Sequence, residues 1–200
     1  MTGALSPRLP RLLAGLVLCG TGLALMVLSR LGLGPWDVLH QGLSRLTGIP
    51  IGTMVILVGL VVLLGWVPLR QVPGIGTLLN TVLVGLVIDA VLAVASAPHG
   101  VLARWTCVVA GVLLMGVGSG LYIGAGLGPG PRDGLMTAIA DRGHSVALVR
   151  TAIELTALAV GWLLGGTVGV GTLVFAVGIG PCVQLSLGRL TVPTLTPPAE

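Results

Sequence analysis

The sequence predicts an all-α membrane protein with about six transmembrane helices in two three-helix repeats. Three observations carry this expectation. Only 8% of the 200 residues are charged, against about 25% in a soluble domain, so the chain cannot cover a water-facing surface. Six apolar stretches approach the roughly 20 residues that cross a bilayer as helix. The pattern Gly-x-Gly-Pro-x-Asp occurs twice, at 32–37 and at 128–133.

The first apolar stretch, about 12–30, follows Arg8 and Arg11. Basic residues before an apolar core also mark signal peptides. This run is long, no small-residue cleavage pattern follows it, and Leu18 before Cys19 is too bulky for a lipoprotein site. It reads as an uncleaved first span. Residues 35–47, PWDVLHQGLSRLT, form a short helix whose Pro35 suits a first turn, where the missing N–H costs nothing. Trp36, Leu39, Leu43 and Leu46 share one apolar stripe, with Asp37, Gln41, Ser44 and Arg45 away from it. Such an amphipathic helix lies at the interface or dips into the membrane against protein or water. Spans at about 51–69 and 76–96 complete the first repeat, 1–97. The second repeat, 98–190, carries spans at about 101–124, 146–165 and 170–188, with a short helix at 131–143 behind Pro131. The Pro-rich segment 191–200 reads as a disordered tail.

Placing 14–66 over 110–162 without a gap matches 14 of 53 positions, where a Leu- and Gly-rich composition gives about five or six by chance. The scarce residues are the informative ones: Pro35/Pro131, Asp37/Asp133 and Trp66/Trp162. After one deletion, PGIGTLL at 73–79 also aligns with VGVGTLV at 168–174. Three spans per half is an odd number, so the second half enters from the opposite side of the bilayer. That inverted arrangement is frequent in secondary transporters, whose sites lie at the repeat interface. If the short helices cross instead, there are eight spans and the repeats are parallel. Either count puts seven arginines on one side and three on the other, with both termini cytoplasmic. Six spans are preferred because the short segments are polar and only about 20 Å long as helix.

The stretches GLGPWDVLHQGLS (32–44), GIGTLLNTVLVGLVIDAVL (74–92), GLYIGAGLGPGPRDGLM (120–136) and VRTAIELTALAVGWLLGGTVGVGT (149–172) resemble the bacterial YczE/YyaS/YitT group of integral membrane proteins, the YczE-like members most. The similarity runs over about 12–185. It implies a multi-pass protein of the bacterial cytoplasmic (inner) membrane, and it implies no substrate, cofactor or catalytic residue.

An ionisable residue at membrane depth costs about 2.5–3.5 kcal/mol on insertion scales, so it faces a partner or a cavity. Asp37 and Asp133 either cap their short helices or form a pair of ligand-binding carboxylates where the halves meet. Arg132 stands where the first repeat has Trp36, and serves an anion or the cytoplasmic interface. Arg150 and Glu154, at i and i+4, share a helix face. They form a structural pair or line a substrate or proton path. Asp89, deep in the third span, is a proton carrier or bonds an arginine such as Arg150. Trp66, Trp105 and Trp162 fall near span ends, where interfacial belts are the ordinary reading.

Other chemistries lack support. His40, His99 and His144 show no metal spacing, and no cofactor motif is present. Cys19, Cys107 and Cys182 lie apart in apolar stretches and read as structural thiols. No basic run suggests nucleic acid, and no nucleophile–base motif suggests an enzyme. The expected partners are the bilayer and a small-molecule or ionic substrate, with a second copy of the chain also compatible. The leading expectation is a small secondary transporter or permease with Asp37, Asp133, Arg132, Arg150, Glu154 and Asp89 as site residues. The alternative is a non-transporting membrane scaffold or accessory protein.

Overall fold

Eight helices, and no strand among the described residues, make up the computed structural model: α1 (Arg8–Ser29), α2 (Pro35–Thr47), α3 (Ile51–Trp66), α4 (Ile75–Val94), α5 (Val101–Gly124), α6 (Pro131–Ala140), α7 (Val146–Leu163) and α8 (Val170–Leu190). The structure describes residues 8–190; the tail read as disordered lies outside them. Helices α1, α4, α5, α7 and α8 are long and apolar enough to cross a bilayer. α3 is shorter than the expected 51–69, because the chain leaves the helix in a turn at 67–70 that contains Pro68 and ends at Arg70 in the left-handed region, φ 55°. α3 joins α2 across a bend of 112°, so this pair is a sixth candidate, as a broken span or a re-entrant element. α6 stops at Ala140 rather than 143. The amides of Gly143 and His144 both return to the Ala140 carbonyl, and Gly143 takes φ 97°.

α1 and α5 form the centre. A Cβ on Gly15 would stand 2.6 Å from the Gly118 carbonyl oxygen, and one on Gly22 would stand 2.7 Å from that of Gly111. Residue numbers rise along α1 as they fall along α5, so the two helices run antiparallel, backbone against backbone. Small residues make this approach possible, and in lipid the gain comes from packing rather than from hydrophobic burial. α4 packs on α1, and α8 on α5. Leu57, Leu64, Leu173 and Val177 are among the large apolar residues left on the outside. So much exposed apolar surface suits acyl chains, not water.

The two loops between spans and short helices have matching backbones. Gly32 and Gly128 take φ 124° and 122°, where side chains are strained. Gly34 and Gly130 then take φ −63°, ψ 158° and φ −62°, ψ 158° before the prolines. Each loop is tied to the start of a distant span. The Gly76 amide donates to the Leu127 carbonyl, and the Gly171 amide to the Leu31 carbonyl, both at 2.8 Å.

α2 buries its N-terminal half, polar and apolar residues alike, and exposes its C-terminal turn. Trp36, Asp37, Val38 and His40 are buried, while Leu46, expected on the apolar stripe, is exposed. The reason is the solvent: in lipid an apolar edge is content outside. The remaining polar flank anchors the helix. Gln41 Oε1 accepts from the Thr167 amide at 2.7 Å, and Arg45 donates to Thr167 Oγ1 at 3.1 Å and to the Gly165 carbonyl.

Gly118→Ala is therefore expected to push α1 from α5 and lower stability by about 1–3 kcal/mol, as overpacking does. Gly180→Ala, whose added methyl meets nothing within 4 Å, is expected to leave stability unchanged or slightly raised. Thermal unfolding of the two purified variants in detergent measures the difference.

Candidate functional site

A cavity of about 120 Å³ lies among α1 to α6. Its polar wall is built from few residues. α2 supplies Trp36, Asp37 and His40; α6 supplies Arg132 and Asp133; α4 supplies Asn80, and α5 supplies Ser119 and Tyr122. Valines of α3 and Leu23 of α1 close the apolar side. Both prolines matter here. Pro35 and Pro131 open their helices at the cavity wall, so the first turns, with their partial positive ends, sit beside the acidic side chains.

The two aspartates differ in their partners. Asp133 accepts from the Tyr122 hydroxyl at 3.0 Å and has Arg132 Nε at 3.7 Å. Asp37 has His40 Nδ1 at 3.5 Å from Oδ1, beyond a good hydrogen bond. Among the described residues no hydrogen bond reaches the Asp37 carboxylate, and the residue before the helix shows no side-chain cap. The Asp37 and His40 side chains keep only 6% and 9% of their surface free, against 39% and 38% for Asp133 and Arg132. Trp36 Nε1 and His40 Nδ1 are buried without a hydrogen-bond partner among the described residues. Their rings lie 6.3 Å apart, tilted by 39°.

Of the six residues singled out by sequence, the structure brings Asp37, Arg132 and Asp133 together. It does not bring the other three. Arg150 and Glu154 pair at 3.0 Å on α7, and neither lines the cavity. Asp89 sits at the start of α3: Oδ1 accepts from the Gly52 amide at 2.7 Å, and Oδ2 from the Thr53 amide at 2.7 Å and hydroxyl at 2.8 Å. Its partners are these three donors and not Arg150. This is a helix cap delivered from another helix, satisfying amides that a helix start leaves orphaned. Trp66 ends α3 and faces protein rather than lipid. It is buried, donates from Nε1 to the Pro131 carbonyl at 3.0 Å, and lies against Gly134, which holds α6 in place. Sequence reasoning gave no role at the site to Tyr122, Asn80 or Ser119. Tyr122 carried a usable signal, as the single tyrosine of the chain, inside an apolar span.

The chain matches the model of a family of unknown function, DUF6198, over residues 6–187. It belongs to that family. It is 42% identical to an uncharacterized protein of Haemophilus influenzae, over 88% of this chain and 81% of the relative. It is 38% identical to the uncharacterized membrane protein YczE of Bacillus subtilis, over 87% and 82%, and 27% identical to the uncharacterized protein YyaS of the same organism, over 80% and 82%. No solved structure matches it. This DUF6198 member is thus a helical membrane protein with several spans, and its polar cavity lies within an otherwise apolar bundle.

Removing the α3 cap should cost more than removing the α7 pair. Asp89→Asn weakens charge-assisted bonds and is expected to destabilise by about 1–3 kcal/mol. Glu154→Gln breaks a partly exposed i,i+4 pair and should cost no more than about 0.5 kcal/mol. Denaturant titration of both variants in detergent checks the order.

Proposed function

We propose that this DUF6198 member is a small secondary transporter or permease of the bacterial cytoplasmic membrane, with both termini cytoplasmic and its solute site at the junction of two halves. One observation carries the reading. Both Gly-x-Gly-Pro-x-Asp turns start short helices whose first turns line a single polar cavity. Broken helices facing a central polar site are the usual way for irregular backbone to exist at membrane depth, and they mark transport sites.

An inverted duplication underlies the reading, and contacts between the halves support it. The Gly15–Gly118 approach becomes Gly111–Gly22 when each residue is exchanged for its counterpart 96 positions away. The Gly76–Leu127 bond becomes Gly171–Leu31 likewise, Leu127 and Leu31 being 96 apart and Gly76 and Gly171 95 apart after the one-residue deletion in the second half. A pair of antiparallel helices that exchange like this is related by a twofold axis perpendicular to them, hence in the membrane plane. Four aligned pairs line the cavity from both sides: Cys19/Met115, Leu23/Ser119, Trp36/Arg132 and Asp37/Asp133. The cavity therefore straddles that axis, where rocking of one half against the other would expose it alternately.

Reconstituted into liposomes, the wild type is expected to move at least one small polar solute from a broad labelled panel, and Asp37→Asn to slow that flux at least tenfold. If no solute moves, and Asp37→Asn supports every cellular phenotype of a deletion strain as well as wild type, the transport reading fails and an accessory role takes its place. The topology has a separate check. A cysteine at Gln71, in a background without native cysteines, should label only after the cytoplasmic face is opened; labelling of intact cells would exclude the inverted six-span arrangement.

A further inference from the structure

α3 and α7 correspond at a spacing of 96 residues, and α4 and α8 at 95, yet the two pairs of helices do not meet alike. α3 is packed on α4. A Cβ on Gly52 would strike the Gly85 carbonyl oxygen, and one on Gly59 would lie 3.8 Å from Thr81 Cβ. The Asp89 carboxylate accepts from the amides of Gly52 and Thr53 and fixes the start of α3. On the other side the same positions are open. Gly180 replaces Gly85, and a Cβ there would meet nothing within 4 Å. Ala176 and Gln184, in the places of Thr81 and Asp89, are exposed, and so are Leu148 and Leu155, in the places of Gly52 and Gly59.

α7 is fastened at one end. The Thr167 amide just beyond it donates to Gln41 Oε1 at 2.7 Å, and the Gly161 backbone lies against Leu39 of α2. Before Gly161, only Val149 and Ala157 of α7 are buried. Glu154, near the middle of the helix, keeps 30% of its side chain free and has Arg150 at 3.0 Å from Oε1. A carboxyl group at membrane depth calls for a wall of protein or water. In α3 the residue in its place is Val58, which lines the cavity. In that cavity Arg132 donates no hydrogen bond among the described residues; Asp133 is 3.7 Å away, and the charges of Asp37 and Glu154 both act on it.

We propose that α7 is a gate that pivots about its α2 end and docks on α8 as α3 docks on α4, carrying Glu154 into the cavity wall to pair with Arg132. The docked position rests on the duplicated-halves reading, while the test does not depend on transport. α3 cannot make the matching move. Leaving α4 would strand the Asp89 carboxylate and two amides where there is no water to satisfy them. α7 has no such tie, because Gln184 stands where Asp89 would be and makes no hydrogen bond among the described residues. Docking has two sources of gain. Ala152, Ala176 and Gly180 are small enough to let the helices approach closely, the usual basis of packing in lipid. Glu154 Oε1 is taken by Arg150, which leaves Oε2 for the guanidinium of Arg132. The site then has two states, one with Glu154 outside its wall and one with Glu154 in it.

Cysteine pairs in the full chain, reconstituted in liposomes, test this. The background lacks native cysteines or, if that does not fold, keeps the buried Cys19. Leu155→Cys/Ala176→Cys and Ala152→Cys/Gly180→Cys stand where α3 and α4 have Gly59/Thr81 and Ile56/Gly85. All four sites are exposed, so the variants are expected to fold. Under a mild oxidant each pair is expected to close an internal disulfide at least tenfold faster than Leu155→Cys/Leu185→Cys, whose second site lies about 13 Å further along α8. Gly59→Cys/Thr81→Cys, with Cβ atoms already 3.8 Å apart, sets the upper rate. Test pairs no faster than the Leu185 pair overturn the gate. Disulfides between two chains overturn it as well, since a second copy would then be what covers these faces. Glu154→Gln and Arg132→Gln should each slow closure at 155/176 at least threefold, and Glu154→Asp should recover part of the rate. If Glu154→Gln closes as fast as its parent, the assignment of Glu154 to the wall falls. Any solute that the wild type moves should stop on oxidation of the 155/176 pair and resume on reduction; flux that continues through the oxidised pair overturns the gate. Internal disulfides without flux of any solute remove the transport function and leave the gate standing, whereas flux without internal disulfides does the reverse.

Discussion

A membrane interior contains no water to satisfy a bare peptide group, and the whole arrangement follows from how this chain meets that constraint. Two loops, 30–34 and 125–130, leave helical geometry beside the central helices. Each has a carbonyl that would otherwise be stranded, Leu31 and Leu127, and each receives an amide from the first turn of a distant span, Gly171 and Gly76. Thr77 adds a second tie: its hydroxyl donates to the Pro129 carbonyl at 2.8 Å. Glycine is needed at these points because a methyl on Gly74 or Gly76 would strike the Leu127 carbonyl region. The bonds fix the loops, the loops aim α2 and α6, and those two helices place every charge in the cavity.

The same economy governs the helix starts. α3 has no polar side chain of its own before it, since Pro50 occupies the cap position. Asp89 reaches across from α4 to take two of its amides. A carboxylate so used is a fixed part of the scaffold. Asp37 occupies a first-turn position as well, yet its side chain shows no such bonds. Position along a helix does not decide whether an acid is scaffold or site; the partners do.

Much of the fold could be read from the residues. Membrane character followed from the shortage of charge, the short helices from Pro35 and Pro131, and three site residues from a motif that recurs. What sequence could not supply was direction. Arg150 and Glu154 have the spacing of a pair and do pair, but spacing is silent on which way the pair faces. Arg150 stands in the second turn of α7 and Glu154 near its middle. The stripe on α2 has the same ambiguity. Period alone identifies an amphipathic helix, and only the solvent tells which edge is buried. Neutral polar residues such as Asn80 and Ser119 leave no periodic trace inside apolar helices, so their part in the cavity emerges only from packing.

The two turns meet different surroundings for a local reason. Gly34 and Gly130 hold matching positions in the two loops, and each faces the same turn of a neighbouring span. Beside Gly130 that turn presents Asn80, whose Oδ1 would lie 3.7 Å from an added Cβ, along with Tyr122 and Asp133. Beside Gly34 it presents the ring of Phe175, which would stand 2.7 Å from such a Cβ. Phe175 is buried and fills its side with carbon; Asn80 leaves its side polar. The other exchanges run in the same direction, with Tyr122, Ser119 and Arg132 aligned to Met26, Leu23 and Trp36. The two turns each supply an aspartate to the cavity, and these residues give them different surroundings. Asp133 has an arginine and a phenol beside it, while Asp37 has a histidine at 3.5 Å. The same turn sequence thus leaves one acid with a hydrogen-bond donor and the other without one among the described residues.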